Sequence, residues 1–366
     1  MHPVLIIGAG KIGSAMAQLL AVEDIYPIHL ADQEAKILSG NKNLPTTKRI
    51  IITTLDVHNV NQVSAYIAEH GITALISCLP FHLTVIAARI ARKCQIHYFD
   101  FTEDVATTAQ IQEIAKDANT AFVSQCGVAP GFINIIANDL MQTFMEVDTV
   151  KLRAGALPAI TSHPLHYALT WSTEGVINEY ANPCYGIHQG TLVTLQPLHD
   201  LEMIDLDGCR YEAFNTSGGI GSLIKLYKDR VKYLDYKTIR YLGHCEIMRF
   251  LMEDLKLSED RVTLKKLLES NIPKTFQDVV IIYISVSGIK QGEFIEESYC
   301  KKIYPKLIDG VPFSAIQIAT CAGAAGVIDK VLTQAQRDSR KYSGYFYQET
   351  IFNNDFLTGR FGKYFL

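Results

Sequence analysis

Six consecutive residues near the start of the chain carry the clearest chemical signal: Gly8-Ala9-Gly10-Lys11-Ile12-Gly13. They follow an apolar run, Val4-Leu5-Ile6-Ile7, and open an amphipathic stretch with Ile12, Ala15, Met16, Leu19 and Leu20. In that context Gly8 permits a tight turn, Gly10 lets backbone N–H groups approach a pyrophosphate, and Gly13 allows close packing of helix on strand. Lys11 and Ile12 start the helix, whose N-terminus offers partial positive charge to phosphates. Asp32, at the end of the second apolar run, is a carboxylate suited to accept both ribose hydroxyls and to repel a 2′-phosphate. NAD is the expected cofactor, with NADP left open by Lys36 nearby.

Other chemistry-bearing residues recur just after apolar runs. Leu79-Pro80-Phe81-His82 follows the fourth, Asp100-Phe101-Thr102-Glu103 the fifth, and Gly127-Val128-Ala129-Pro130-Gly131 the sixth. Ligands of open α/β sheets bind at the carboxyl ends of the strands, so Leu79, Pro80, Gly127 and Pro130 are expected at the cofactor. The same position puts His82 and Asp100 at the ligand edge of the sheet. Asp100 has two readings, a carboxylate facing the nicotinamide or an N-cap of the next helix. The segment from Gly127 reads equally as a cofactor contact or a linker turn.

The elements that must hold these residues alternate strictly over the first 125 positions. Strands are expected at Val4–Ile7, Ile28–Leu30, Ile50–Ile52, Ala74–Cys78, Ile96–Asp100 and Ala121–Val123, each separated by a helix-length segment. This rhythm means βαβ units, a parallel sheet and right-handed crossovers. After Pro130-Gly131 the rhythm changes to a helix over Ile133–Met145 and longer strands such as Thr149–Arg153, Thr191–Leu195 and Val279–Val286. The expected fold class is therefore α/β: a Rossmann-type doubly wound parallel sheet plus a second α+β domain with a largely antiparallel sheet. Phe313–Leu332 is Ala/Gly-rich and is expected as a helix. The expected division is 1–130 with about 314–366 as a discontinuous dinucleotide-binding domain, and 131–313 as a substrate-binding and dimerisation domain.

Composition narrows the class. The 366 residues hold 34 Lys+Arg against 38 Asp+Glu, a formal net charge of −4, which argues against a general nucleic-acid binder. Hydrophobic residues at 48% and charged ones at 20% support a buried core rather than a disordered chain. The longest apolar stretch, Ala315–Ile328, is interrupted by Gln317, Thr320, Gly323 and Gly326, so no membrane segment is expected. The eight cysteines include no CxxC pair, and the histidines lack ligand spacing, so neither a metal site nor a disulfide framework is expected. These features, and the lack of a signal-like start, lead to a cytoplasmic expectation.

Four further segments, in order, resemble the saccharopine dehydrogenase and lysine 6-dehydrogenase family. They are Gly127–Ile135, Thr170-Trp171-Ser172-Thr173-Glu174-Gly175, Tyr211–Gly219 and Tyr236–His244. The resemblance runs through nearly the whole chain. It implies a Rossmann domain with an inserted α+β domain, a homodimer, and oxidation of a C–N bond of an amino acid with a nicotinamide cofactor. Such chemistry takes a hydride from the carbon bearing the amine and leaves an imine that water hydrolyses. It needs a neutral amine, a carboxylate anchor and an acid/base group near neutral pH.

By resemblance Arg240 is the carboxylate anchor, a role suited to a bidentate guanidinium; a surface ion pair is the plainer reading. Thr216 and Ser217 are offered as donors to the same carboxylate or as a simple turn. His244 is an acid/base candidate or a packing residue. Trp171 is core or a wall against an aliphatic substrate, and Tyr167 shares its face if that stretch is helical. Two positions depart from the family. Ala87 or Ala88 stands where many members carry a lysine, and Ala129 where saccharopine-forming members carry an aspartate. Proton transfer then falls to His82, Asp100 or His244. The expected substrate is lysine or a lysine-derived amine. The alternatives are a saccharopine- or carboxynorspermidine-type secondary-amine dehydrogenase and a non-catalytic NAD-binding regulator.

Overall fold

The computed structural model describes residues 2–34, 50–338 and 341–366. The chain divides into two compact units. The first comprises Met1–Gly127, Leu307–Phe313 and Gln317–Leu366, the second Val128–Lys306 and Ser314–Ile316. The hairpin at Leu307–Phe313 thus joins the first unit, whereas the sequence reading puts it in the second.

The first unit begins with β1 (Val4–Ile7), every residue of which is buried. A short, uninterrupted apolar run is what a parallel strand covered on both faces requires. Helix α1 (Lys11–Glu23) follows, then β2 (Ile28–Asp32) and β3 (Ile50–Thr54). Beyond them come α2 (Val60–Glu69), β4 (Ala74–Ser77), α3 (Phe81–Cys94), β5 (His97–Asp100), α4 (Val105–Ile114) and β6 (Ala121–Val123). The strands are parallel in the order β3-β2-β1-β4-β5-β6, extended by the short strand Gly344–Tyr345 beside β6. The order reverses between β1 and β4, whose ends meet as Ile7 beside Ser77. That reversal is where open α/β sheets bind ligands.

One face of this sheet is sealed by α2, α3 and α4 through Leu5, Ile7, Val63, Ile67, Leu75, Ala87, Ala88, Ile90, Tyr98, Ile111 and Phe122. The long helix Ala315–Arg337 belongs mainly to this unit, where Cys321 Sγ approaches Ile12 O and Asp329 accepts from Tyr26. Its length and apolar composition would suffice to cross a membrane, yet 78% of its most apolar window is buried within the protein.

The second unit starts with α5 (Phe132–Met141) and β7 (Glu146–Pro158). The helix stops short of the expected Met145 because a turn at Leu140–Phe144 feeds the chain into the strand. Next come α6 (Thr173–Ala181), β8 (Cys184–His188), β9 (Thr191–Leu195), β10 (Glu202–Leu206) and β11 (Cys209–Asn215). Then follow α7 (Leu223–Tyr227), β12 (Tyr233–Arg240), α8 (His244–Arg249), α9 (Arg261–Asn271), β13 (Asp278–Lys290) and β14 (Glu293–Ile303). The sheet order is β10-β11-β12-β7-β13-β14, with β8 and β9 attached through β12. It is antiparallel except for β7 beside β12. On β7, Arg153 is 1% exposed and is held by the carboxylates of Glu202 and Asp235. A core of Leu165, Tyr167, Val176, Ile177, Tyr180, Phe214, Cys245, Met248, Leu264 and Leu268 joins α6, α8 and α9. It surrounds the carboxyl end of β12, where Arg240 lies.

Candidate active site

In the first unit, the turn after β1 is anchored by Gly8 N–H donating to Ala31 O at 2.8 Å. Gly8 has φ +99°, and a Cβ on Gly13 would lie 1.7 Å from Gly8 O, so helix and turn touch backbone to backbone. Gly10 differs: a Cβ there would meet nothing within 4 Å. Of the three glycines it alone faces open space, as a residue approached by a ligand should. The helix ladder begins with Ser14 N–H donating to Gly10 O, so the N-terminus of α1 directs its dipole at this space. Lys11 and Ile12, in the first turn, are exposed and half-buried.

Asp32 stands beside the loop. Its Oδ2 accepts from Ala9 N–H at 2.8 Å and its Oδ1 from Glu34 N–H at 3.0 Å. Both bonds fix the carboxylate as an acceptor next to the nucleotide cradle. Lys36 lies outside the described residues. The open Gly10, the helix N-terminus and the fixed carboxylate fit a dinucleotide.

Leu79 is half-buried after β4 and Pro80 caps α3. His82, in the first turn of α3, is exposed. Ala87 and Ala88 are fully buried in the core, so this stretch of α3 presents packing surface where the family's lysine is expected. Asp100 ends β5 and is 1% exposed. It accepts from Thr102 N–H at 2.9 Å, Ser124 Oγ at 2.7 Å and Gln125 N–H at 3.3 Å. Asp104, not Asp100, caps α4. Burial raises Asp100 to a pKa of about 6 despite its three donors. Glu103 is raised to about 7, by burial first and then by the neighbouring Asp104 and Asp100 carboxylates. Sequence reasoning gave Glu103 no role, although its spacing from Asp100 was visible.

Gly127 is buried at the end of the first unit; Pro130 falls in the second. There Gly131 N–H donates to Asn134 Oδ1 at 2.7 Å, and Asn134 Nδ2 to Ile220 O at 2.8 Å. The segment is thereby tied to the Ser217-Gly218-Gly219 turn.

Arg240 is no surface ion pair. It is 2% exposed, and among the described residues no carboxylate lies within 4.0 Å of it. Its Nε donates to Tyr180 Oη at 2.9 Å and its Nη1 to Ile239 O at 2.9 Å. The guanidinium carbon stands 5.0 Å from the Tyr167 ring centre and 5.9 Å from that of Tyr180. The buried Glu179 carboxylate acts on it only from beyond ion-pair distance, and an anionic ligand would bring a counter-charge into direct contact. Two hydroxyls of the same segment, Tyr167 Oη and Thr170 Oγ1, are buried near one another, and neither makes a hydrogen bond of good geometry.

The neighbouring candidates fare unevenly. Ser217 Oγ donates to Pro183 O at 3.0 Å, so its single proton is not available to a carboxylate. Thr216 Oγ1 shares a 2.6 Å bond with Thr238 Oγ1. His244 is fully buried, with Nδ1 2.9 Å from Leu165 O and Nε2 2.9 Å from Tyr180 Oη. Burial and the Arg240 charge push its pKa down to about 3. With both nitrogens engaged and the neutral form enforced, His244 does not exchange protons near neutral pH. Trp171 is half-buried against the core around Tyr167, and the segment joining them is irregular rather than helical. Tyr180, which touches both Arg240 and His244, was missed because nothing in its local sequence marks it.

Comparison with known proteins accounts for both halves. Residues 4–124 match the family profile described as "Saccharopine dehydrogenase NADP binding domain", and residues 127–351 that described as "Saccharopine dehydrogenase C-terminal domain". A saccharopine dehydrogenase (NADP(+), L-glutamate-forming) of Schizosaccharomyces pombe is 24% identical over 205 residues, 53% of this chain and 44% of that protein. The mitochondrial alpha-aminoadipic semialdehyde synthase of Bos taurus is 19% identical over 329 residues, 82% of this chain and 33% of that protein. The matches thus span less than half the length of these curated relatives. The apo, histidine-tagged saccharopine dehydrogenase (L-Glu forming) from Saccharomyces cerevisiae shares the fold, with a TM-score of 0.78 at 16% identity over 100% of this chain and 98% of that one. The first unit is a nucleotide-binding domain of the NAD(P) class, and the chain belongs to the saccharopine dehydrogenase family.

Proposed function

We propose that the protein is an NAD(P)-dependent oxidoreductase acting on the C–N bond of an amino acid, with lysine or a lysine-derived amine as substrate. The observation that carries this reading is Arg240, a buried guanidinium with no carboxylate within 4.0 Å among the described residues. A nicotinamide nucleotide would accept the hydride in the oxidative direction or donate it in reverse. The Gly8–Gly13 loop and Asp32 would hold its pyrophosphate and ribose. Arg240 would bind the substrate carboxylate, with the Tyr167 ring beside it. Asp100, with a pKa of about 6, is the candidate proton acceptor for the amine.

The relatives' names favour a secondary amine that releases L-glutamate, which would make saccharopine the first substrate to try. They also name NADP, whereas the carboxylate of Asp32 favours NAD. One spectrophotometric panel decides both points. Purified protein is mixed with NAD or NADP plus saccharopine, L-lysine or diamines, and nicotinamide absorbance is followed in both directions. Turnover of saccharopine or lysine is the expected result. Nucleotide binding without turnover of any amine would overturn the reading and leave a nucleotide-binding regulator.

A further inference from the structure

The hydrogen bonds around Arg240 have a direction that can be read. Leu165 O can only accept, so its 2.9 Å contact with His244 Nδ1 places a proton on that nitrogen. The ring is neutral, and Nε2 therefore carries the lone pair. The 2.9 Å contact at Nε2 must then be donated by the Tyr180 hydroxyl. The oxygen of that hydroxyl accepts from Arg240 Nε–H at 2.9 Å. With Nη1 committed to Ile239 O, two edges of the guanidinium are fixed, and Nη2 is left without a partner among the described residues.

We propose that Tyr180 and His244 are positioning residues. They form a one-way relay from Arg240 through Tyr180 and His244 to the Leu165 carbonyl, which sets the angle at which the guanidinium meets the substrate carboxylate. The proposal rests on Arg240 being that anchor. Tyr180 is 1% exposed and His244 0%, so solvent does not replace a missing member. Loss of the Tyr180 hydroxyl would leave His244 Nε2 and Arg240 Nε both unpaired in the interior. The guanidinium would then be free to turn toward other acceptors. The relay also explains why a histidine sits here without titrating: its task is to accept one bond and donate another.

The test uses the full chain with saturating NADPH, which cannot oxidise an amine, and reads calorimetric affinity for saccharopine, with L-lysine and L-glutamate as parallel probes. Tyr180→Phe and His244→Leu should each weaken binding about tenfold. His244→Gln, whose Oε1 offers an acceptor in place of Nε2, should stay within about threefold of the unaltered protein. In all three, kcat at saturating substrate should change by less than about threefold, whereas loss of an acid/base histidine would cost on the order of 100-fold or more. A cooperative thermal unfolding transition reports that each variant is folded. If His244→Leu fails that check, Tyr180→Phe, which keeps the ring, decides alone.

Loss of affinity in Arg240→Gln with none in Tyr180→Phe would overturn the relay and leave the anchor standing. No loss in Arg240→Gln would overturn both. A signature independent of any substrate is the imidazole nitrogen resonance of His244, assigned by its absence in His244→Gln. It should report an unprotonated, hydrogen-bonded Nε2 that moves on Tyr180→Phe; an Nε2 that carries a proton, or does not move, contradicts the relay.

Discussion

The nucleotide loop and the Arg240 site solve different physical problems with different economies of sequence. The loop is local. Six consecutive residues supply the turn, the close contact and the open cradle, and backbone shape alone does the work. The arginine site is assembled from β12, α6, α8 and the irregular segment around Leu165, with partners 60 to 79 positions apart in the chain. Its logic is electrostatic: a buried cation is oriented by neutral groups, with no carboxylate in direct contact among the described residues. A local, steric site should fail by collision, and a dispersed, electrostatic one by loss of charge or orientation.

The most damaging change expected in the first region is Gly13→Val, because a Cβ there lies 1.7 Å from Gly8 O. It should cost about 3 kcal/mol or more of stability, with nucleotide affinity reduced at least about 100-fold. Calorimetric unfolding and nucleotide titration would check it; a normal melting temperature would contradict the packing account. In the second region, Arg240→Gln should weaken substrate binding about 100-fold, within the range for removing one member of a buried charge pair. Nucleotide affinity should stay within about twofold. Equal loss of both ligands would erase the distinction between the regions.

Acid should sharpen the contrast. His244 has a folded pKa of about 3 against an ordinary value of 6.5, so the unfolded chain binds more protons between those values. Its contribution to stability is present above pH 6.5 and is lost as pH falls, by at most about 1.4 kcal/mol per pH unit. Asp100 runs the other way. Its folded pKa of about 6 exceeds the ordinary value of 3.8, so stability declines as pH rises from 3.8 to 6 and the cost persists above. Denaturant midpoints across this range should flatten on the acid side in His244→Gln and on the rising side in Asp100→Asn. Identical profiles in either variant and the unaltered protein would refute that assignment.

Smaller effects are expected at the rim of the nucleotide cradle. Gly10→Ala has room for its methyl group and should leave stability intact while lowering nucleotide affinity about tenfold. A loss of stability would mean that the space is not a cradle. Asp32→Ala should shift preference toward NADP by roughly fivefold, about 1 kcal/mol. An unchanged ratio of NAD to NADP affinities would remove Asp32 from cofactor selection.

Much of the fold is legible in the sequence because its strands are short, apolar and separated by helix-length segments. Ala121–Val123 falls at the expected residues, and the nucleotide motif appears in the one context where it has meaning. The parallel pairing of β7 with β12 is not legible, since it joins residues 84 positions apart and no periodicity encodes a partner. The π-helical turn at Phe250–Asp254 is likewise invisible in side-chain pattern. In the site, Arg240 is marked by its motif, but its burial and the absence of a carboxylate in direct contact among the described residues emerge only from packing. Ser217 and His244 look available as bare residue types and prove committed once Pro183, Tyr180 and Leu165 are brought beside them.

The central claim is that the unpaired guanidinium of Arg240 recognises a substrate carboxylate. It is tested most directly by comparing affinities for L-lysine and for cadaverine, the same amine without the carboxylate, in the unaltered protein and in Arg240→Gln. The account predicts that the unaltered protein favours lysine about 100-fold and that the variant binds the two alike. A preference for lysine that survives in Arg240→Gln would contradict it.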